Sequence, residues 1–155
     1  MQVLLRADDA AMIKPLNILF VDDSRDDTFF AKVAFEKAGF LANIDAVVDG
    51  VEALAYIRNE SQNDQALDID MILLDLNMPR MDGKEFLQKI KSDDAHSHIP
   101  VIVMTTSDDD LDIEACYKLQ ASTYVVKPID LKKFIDAVQR IKDYWIGVAR
   151  LPRPA

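Results

Sequence analysis

Five polar side chains stand at the ends of short apolar segments of the sequence: Asp22, Asp23, Asp75, Thr105 and Lys127. Three carboxylates that lie close together repel one another, which is tolerable only with a cation between them. Mg²⁺ is the natural candidate, because it is a hard ion that takes oxygen ligands and keeps several waters. An aspartate can also be a nucleophile that accepts a phosphoryl group, a reaction that depends mostly on positioning and charge neutralisation. The set therefore predicts phosphoryl transfer to Asp75, the middle carboxylate, with Lys127 supplying positive charge and Thr105 a hydroxyl donor.

The apolar segments that precede these residues have the pattern of β-strands. Residues 71–74 form an unbroken apolar run into Asp75, and Pro79 follows, which is typical of a strand buried on both faces. Similar segments span residues 16–21, 44–48, 100–104 and 122–126. The segment 44–48 is the least uniformly apolar, so we place it at a sheet edge.

Helical patterns separate these strands. Ser24, Asp49 and Asp82 each precede an acidic residue by three positions, which is the capping-box pattern that opens a helix. Strands that alternate with helices predict βαβ units in one parallel sheet. The carboxyl ends of such strands share one edge, so the five polar side chains should meet in one cleft. Any one of these residues alone could equally be a cap or turn residue. Because four strands are each followed by such a residue, we favour a functional site.

Length, charge and cysteine content restrict the possibilities further. The 155 residues suit one domain, and we assign residues 1–14 to an N-terminal extension, 15–149 to the domain and 150–155 to a C-terminal tail. The formal net charge of −9 argues against nucleic-acid binding, which needs Lys and Arg. Cys116 is the only cysteine, so neither a disulfide framework nor a zinc cluster is expected. No apolar run approaches a membrane span and no signal peptide is recognisable, so we expect a cytoplasmic protein without a membrane partner.

At this point the chain resembles the receiver domain of two-component response regulators. The resemblance is carried by Asp22-Asp23, the run from Asp75 to Pro79, Asp82-Gly83, Thr105, and the run from Tyr124 to Pro128. It implies an α/β fold with a doubly wound, five-stranded parallel sheet of flavodoxin-like order 2-1-3-4-5, in three layers α/β/α. It also implies a signalling protein, not an enzyme, with slow self-dephosphorylation.

The resemblance further implies a role for each residue of the cleft. Asp75 takes a phosphoryl group from a histidine kinase or a phosphotransfer protein. Asp23, Asp75 and the backbone carbonyl of Asn77 ligate Mg²⁺ directly, and Asp22 acts through water. Thr105 binds the phosphoryl group and moves inward, Lys127 pairs with the same group, and Tyr124 is the aromatic switch residue. The Lys127–Pro128 bond is expected to be cis. Thr106 departs from the family, which usually has Ala or Gly there, and is expected to alter the rate of dephosphorylation.

A finer resemblance concerns the partner. The chain looks like the stand-alone regulators paired with bacterial and cyanobacterial phytochrome kinases in four places: the run from Asp75 to Pro79, residues 104–107, the late Tyr144-Trp145 and Leu151-Pro152.

Two other hypotheses compete with a receiver domain. A haloacid-dehalogenase-type Mg²⁺-dependent phosphatase would need an acidic residue two positions after the nucleophile, where this chain has Asn77, and its motifs would come in a different order. A flavodoxin-like interaction module without phosphorylation would be expected to lack cleft residues, and none is missing.

The last helical pattern predicts a homodimer. Apolar residues spaced alternately by three and four positions run from Leu131 to Val148. A helix of that length should extend beyond the sheet, and exposed aromatic residues are common interface anchors. The predicted interface residues are Phe134, Ile141, Tyr144, Trp145 and Val148. The alternative is that Trp145 folds back onto the N-terminal extension.

Overall fold

The strands of the protein form one parallel sheet in the order β2-β1-β3-β4-β5, with helices on both faces. The computed structural model describes residues 15–39, 41–62 and 68–152. The strands are β1 (Leu16–Val21), β2 (Ala42–Val47), β3 (Met71–Leu74), β4 (Val101–Thr105) and β5 (Thr123–Val126). The helices are α1 (Arg25–Lys37), α2 (Gly50–Gln62), α3 (Gly83–Lys91), α4 (Asp110–Lys118) and α5 (Leu131–Gly147). The predicted doubly wound α/β/α architecture is confirmed.

Two apolar layers hold the helices onto the sheet. In β1, Leu19 and Val21 pack in the layer that contains α2, α3 and α4. Ile18 and Phe20 pack in the opposite layer, with α1 and α5. All four residues of β3 are buried in the same alternating way. Successive side chains of a strand point to opposite faces, so a central strand covered on both sides must be apolar throughout, which explains the unbroken runs in the sequence.

The predicted helix starts are confirmed by hydrogen bonds. Ser24 Oγ accepts from the Asp27 backbone N–H at 3.1 Å. Asp49 and Asp82 accept from the N–H three residues on at 2.9 Å each. These bonds satisfy donors that a helix N-terminus otherwise leaves unpaired.

Some element boundaries differ from the prediction. β2 lies at the sheet edge as predicted, but it begins at Ala42 because its pairing with β1 extends to Leu16. Helix α2 continues to Gln62, into a polar stretch of the sequence. The Lys127–Pro128 bond is trans, contrary to expectation, and trans is the lower-energy form for X–Pro bonds generally. The predicted extension, residues 1–14, and the end of the predicted tail, residues 153–155, lie outside the described residues.

Helix α5 corrects the predicted interface. Phe134 and Ile141 are only 5% and 8% exposed and pack on the sheet within the chain. Trp145 is half-buried against the same layer, which Leu151 also contacts. The stripe spaced by three and four is thus mainly the core-facing side of the helix, so Phe134 and Ile141 do not form a dimer surface. The exposed apolar residues near the end of the helix are Tyr144, Ile146 and Val148.

Gly83 brings the start of α3 against the segment that carries Asp75. Its N–H donates to the Leu76 carbonyl at 2.9 Å. A Cβ at this position would lie 2.3 Å from the Asp75 carbonyl oxygen and 2.7 Å from Leu76 Cα. Both neighbours are backbone atoms that cannot rotate away, so only glycine fits here.

We expect Gly83→Ala to destabilise the protein by about 1–3 kcal/mol, the usual cost of overpacking. Gly147→Ala is the matched control, because nothing lies within 4 Å of a Cβ at Gly147 and alanine is the better helix former. Urea unfolding measures both variants. Equal stability of Gly83→Ala and wild type would show that the backbone yields at this contact.

Candidate functional site

The ends of β1 and β3 place three carboxylates at the carboxyl edge of the sheet. The backbone ladder continues past both strands, since Asp22 N donates to Val47 O at 3.0 Å and Asp75 N donates to Val21 O at 2.9 Å. One carboxylate oxygen from each of Asp22, Asp23 and Asp75 lies within 4.8 Å of the others. Asp22 and Asp75 are buried, whereas Asp23 is exposed. The structure therefore brings together the three acidic residues that the sequence placed at one edge.

Lys127 lies among these carboxylates, at the end of β5. Its Nζ donates to Asp22 Oδ2 at 2.6 Å, to Asp27 Oδ2 at 2.7 Å and to Asp75 Oδ2 at 3.4 Å. Its backbone N–H donates to Thr105 O at 2.6 Å. Asp27 was recognised from the sequence only as the residue that follows the Ser24 cap. Its contact with Lys127 could have been suspected from its position in the first turn of α1, the helix that starts at the edge of the sheet where β1 ends.

The pKa values of this pair reflect burial and mutual contact. Burial lowers the pKa of Lys127, but hydrogen bonds to Asp22 and Asp27 outweigh it and raise the pKa above its ordinary value. Burial raises the pKa of Asp22, and hydrogen bonds from Lys127 and the Ser24 N–H reverse only part of that rise. The contacts of Lys127 thus favour its charged form, whereas burial disfavours the charged form of Asp22.

Asp75 and Thr105 each have one side-chain oxygen that lacks a close hydrogen-bond partner among the described residues. Asp75 Oδ1 accepts from the Leu76 N–H at 2.8 Å, while the one contact of Oδ2 within the described part of the chain is the long one to Lys127, at 3.4 Å. Thr105 is fully buried, and its Oγ1 has no hydrogen-bond partner among the described residues. A buried hydroxyl without a partner is rare and costly in a native protein. An added group on Asp75 that offers acceptor oxygens is the kind of partner that would satisfy it.

The oxygen donors fit a hard divalent cation. Asp22, Asp23 and Asp75 offer carboxylate oxygens close enough to share one ion, and such ions prefer oxygen ligands. The exposure of Asp23 leaves room for the waters that Mg²⁺ retains. Asn77, the other residue expected at the metal, is exposed two positions after Asp75.

Tyr124 is connected to the loop that follows β4. Its hydroxyl donates to Ser107 O at 2.8 Å, and Ser107 Oγ donates to Asp112 Oδ2 at 2.7 Å. Asp112 also accepts from Lys84, in the first turn of α3. Hydrogen bonds from Lys84 and then Ser107 lower the pKa of Asp112. Sequence reasoning found Tyr124 but not the other three residues, because pairs between elements leave no periodic signal.

The loop between β3 and α3 is tied to the start of α2. Arg80 has a φ of 63°, a conformation uncommon for a non-glycine residue. From there its side chain donates to Asp49 Oδ2, at 2.7 Å from Nε and 2.6 Å from NH2. Burial raises the pKa of Asp49, but hydrogen bonds from the Glu52 N–H and Arg80 outweigh it and lower the pKa. Gly50 N also donates to Met81 O at 3.1 Å, so two adjacent residues of this loop are held to the start of α2.

No helix in the described part of the chain has both the length and the hydropathy to cross a bilayer.

Comparison with known proteins identifies the family. Residues 18–139 match the model of the response regulator receiver domain. The chain is 38% identical over 141 residues to the probable methanogenesis regulatory protein FilR2 of Methanothrix harundinacea, covering 91% of this chain and 90% of that one. The crystal structure of the phosphorylated cyanobacterial phytochrome response regulator RcpA shares 36% identity, with a TM-score of 0.83 over 90% of this chain and 100% of that one. The Mn²⁺-bound form of the response regulator Rcp1, a protein known from Synechocystis, shares 32% identity, with a TM-score of 0.80 over the same shares of the two chains.

The two solved structures therefore share the fold of this chain over nine tenths of its length. The chain belongs to the response regulator receiver domain family, and it is related to stand-alone response regulators associated with phytochromes.

Proposed function

We propose that this protein is a phosphoacceptor that takes a phosphoryl group on Asp75, with Mg²⁺, and relays a signal by changing conformation. The observation that carries the proposal is the setting of Asp75. It is buried at the end of the central strand β3, inside a group of carboxylates that fits a divalent cation and within 3.4 Å of Lys127. Asn77 occupies the position where a phosphatase of the dehalogenase type would need its acid.

The transfer needs a nucleophile and charge neutralisation from the protein. A carboxylate oxygen of Asp75 attacks the phosphorus atom of the donor, and a P–O bond to aspartate forms. With a phosphohistidine donor the P–N bond breaks, its electron pair stays on the imidazole nitrogen, and that nitrogen takes a proton from solvent. Hydrolysis later returns the carboxylate, inorganic phosphate and one proton.

Each neighbour has a defined task in this scheme. Asp23, Asp75 and the Asn77 carbonyl would hold Mg²⁺, with Asp22 acting through water. Bound there, the ion neutralises charge on the oxygens of the transferring group. Lys127 supplies a donor and positive charge from the side of β5. Thr105 supplies the unpartnered hydroxyl described above.

We expect Asp75→Asn to abolish incorporation of phosphate from acetyl phosphate, because the amide is not a nucleophile. Wild-type protein should take up one phosphoryl group per chain, measured by intact-protein mass spectrometry in Mg²⁺ and again after chelation with EDTA, which should prevent uptake. Uptake by Asp75→Asn, or sustained release of phosphate over many turnovers from a small phosphomonoester, would contradict the assignment.

The proposed conformational change involves Thr105 and Tyr124. A phosphoryl group adds about −1.5 to −2 charge and three acceptor oxygens, and it can shift an equilibrium only through contacts that differ between states. The free Thr105 hydroxyl can make such a contact by moving toward Asp75. The Lys127 backbone N–H donates to the Thr105 carbonyl. Two residues after Thr105, the Ser107 carbonyl accepts from the Tyr124 hydroxyl. The movement would therefore alter the bond that now holds Tyr124.

Thr105→Ala should leave Asp75 able to accept phosphate but weaken the response of Tyr124. Backbone and aromatic NMR shifts of Tyr124, recorded with and without beryllofluoride, measure that response. Tyr124→Phe is the companion variant, because it removes the hydroxyl bond to Ser107 and leaves the ring. A full shift of Tyr124 in Thr105→Ala protein would refute the proposed coupling.

The proposed phosphodonor is a histidine kinase of the bacterial phytochrome type, or a phosphotransfer protein. The support is the likeness to RcpA, a phytochrome response regulator, and to bacteriophytochrome response regulators. Phosphotransfer profiling against the histidine kinases of the source organism identifies the donor.

We also propose a homodimer formed through the end of α5, now restricted to Tyr144, Ile146 and Val148. Their side chains are about half exposed or more and adjoin the edge-to-face pair of Tyr144 and Trp145. Exposed apolar clusters commonly mark association sites, and symmetric dimers are the commonest oligomers.

We expect the wild type to sediment as a dimer at micromolar concentration, and Val148→Asp to sediment as a monomer. Leu111→Asp is the matched control, because Leu111 has the same 74% exposure as Val148 but lies on α4. A wild-type monomer, both with and without phosphorylation, would exclude the dimer.

A further inference from the structure

Asp27 adds a fourth carboxylate to the candidate site, in contact with the ammonium group of Lys127. Asp27 contacts Lys127 Nζ at 2.7 Å, nearly as closely as Asp22 does at 2.6 Å. Asp75 is the most distant of the three partners, at 3.4 Å. The ammonium therefore lies toward the α1 side of the cleft, away from the residue proposed to carry the phosphoryl group.

The placement of Asp27 is fixed by the start of α1. Its backbone N–H donates to Ser24 Oγ, and negative charge is favoured in the first turn of a helix. Its side chain is 34% exposed, whereas that of Lys127 is 6% exposed. Asp27 is thus a rim residue that reaches a buried cation, and it can be changed without opening the core.

The charges of the site make this contact consequential. Lys127 has three donors, and all three partners recorded for it are carboxylates. A phosphoryl group on Asp75 replaces one negative charge by about two. It then needs a larger share of the same ammonium group. A carboxylate in direct contact with Lys127 offsets much of the positive field that this group would otherwise feel.

We propose that Asp27 is a positioning residue that competes with the phosphoryl group on Asp75 for Lys127 and so weakens the hold of the site on that group. The inference rests on the proposed phosphorylation of Asp75. It adds that a residue of α1 partly determines the affinity of the site for a phosphoryl group. This residue is not one of those proposed to bind the metal.

Removal of the Asp27 carboxylate should change the affinities of the site for Mg²⁺ and for a phosphoryl mimic in opposite directions. Asp27→Asn lowers the total negative charge, so the affinity for Mg²⁺ alone should fall. With Lys127 released, the affinity for beryllofluoride, a tetrahedral mimic of the phosphoryl group, should rise at saturating Mg²⁺. We expect a change of roughly fivefold in each case, the size typical of one partly exposed ion pair.

Isothermal titration calorimetry on the full chain measures both affinities. Asp26→Asn is the matched control, because Asp26 carries the same charge in the same first turn of α1 but is exposed and outside the ion pairs recorded for Lys127. Asp27→Glu keeps the carboxylate and should restore both affinities toward the wild-type values.

The outcomes separate the possibilities. Weaker Mg²⁺ binding together with tighter beryllofluoride binding in Asp27→Asn alone supports the competition. A loss of affinity for both ligands would mean that Asp27 merely maintains the shape of the site, and an equal effect of Asp26→Asn would mean that only overall charge matters; either result overturns the inference. Wild-type protein that binds no beryllofluoride in Mg²⁺ would overturn the proposed function as well, whereas normal binding unaffected by Asp27→Asn would overturn this inference only.

Discussion

Repulsion between carboxylates at the carboxyl edge of the sheet is the constraint on which the rest of the site depends. Oxygens of Asp22, Asp23 and Asp75 lie within 4.8 Å of one another, where two unit charges repel by about 3 kcal/mol at an effective dielectric constant of about 20. Within the described part of the chain, Lys127 is the cation recorded in contact with the two buried members of this group. One ammonium does not balance three carboxylates, so this edge keeps net negative charge of the kind that a divalent cation would neutralise.

Contacts made by the loop between β3 and α3 help to hold this charged edge in place. Gly83 lets the start of α3 rest directly on the backbone of Asp75 and Leu76. Arg80 and Met81 fasten the same loop to the first turn of α2 through Asp49 and Gly50. The loop is thereby held to α2 at Arg80 and Met81 and closed by the Gly83–Leu76 hydrogen bond, and none of these contacts places a charge in the buried apolar layers.

The fold could be predicted largely from local patterns. Apolar runs gave the central strands, and the caps at Ser24, Asp49 and Asp82 gave the helix starts, because both depend on nearby residues. The acidic residues and Lys127 were found because parallel strands end at one edge. Asp27, Lys84 and Arg80 could not be assigned their partners in this way, since each pairs with a residue on a distant element. The three-and-four spacing of α5 identified an apolar stripe but not its direction, so core residues such as Phe134 were mistaken for interface residues.

The order in which the chain supplies the site also bears on how the protein is made. Asp22 comes from the first strand and Asp75 from the third, whereas their shared counterion arrives with β5, the last strand in sequence. During synthesis the acidic residues therefore emerge well before the lysine that opposes them. Until β5 docks beside β4, Asp22 and Asp75 lack the ammonium group of Lys127. Docking of β5 reduces the negative charge at this edge, so electrostatic attraction favours closure of the final strand and links completion of the fold to assembly of the site.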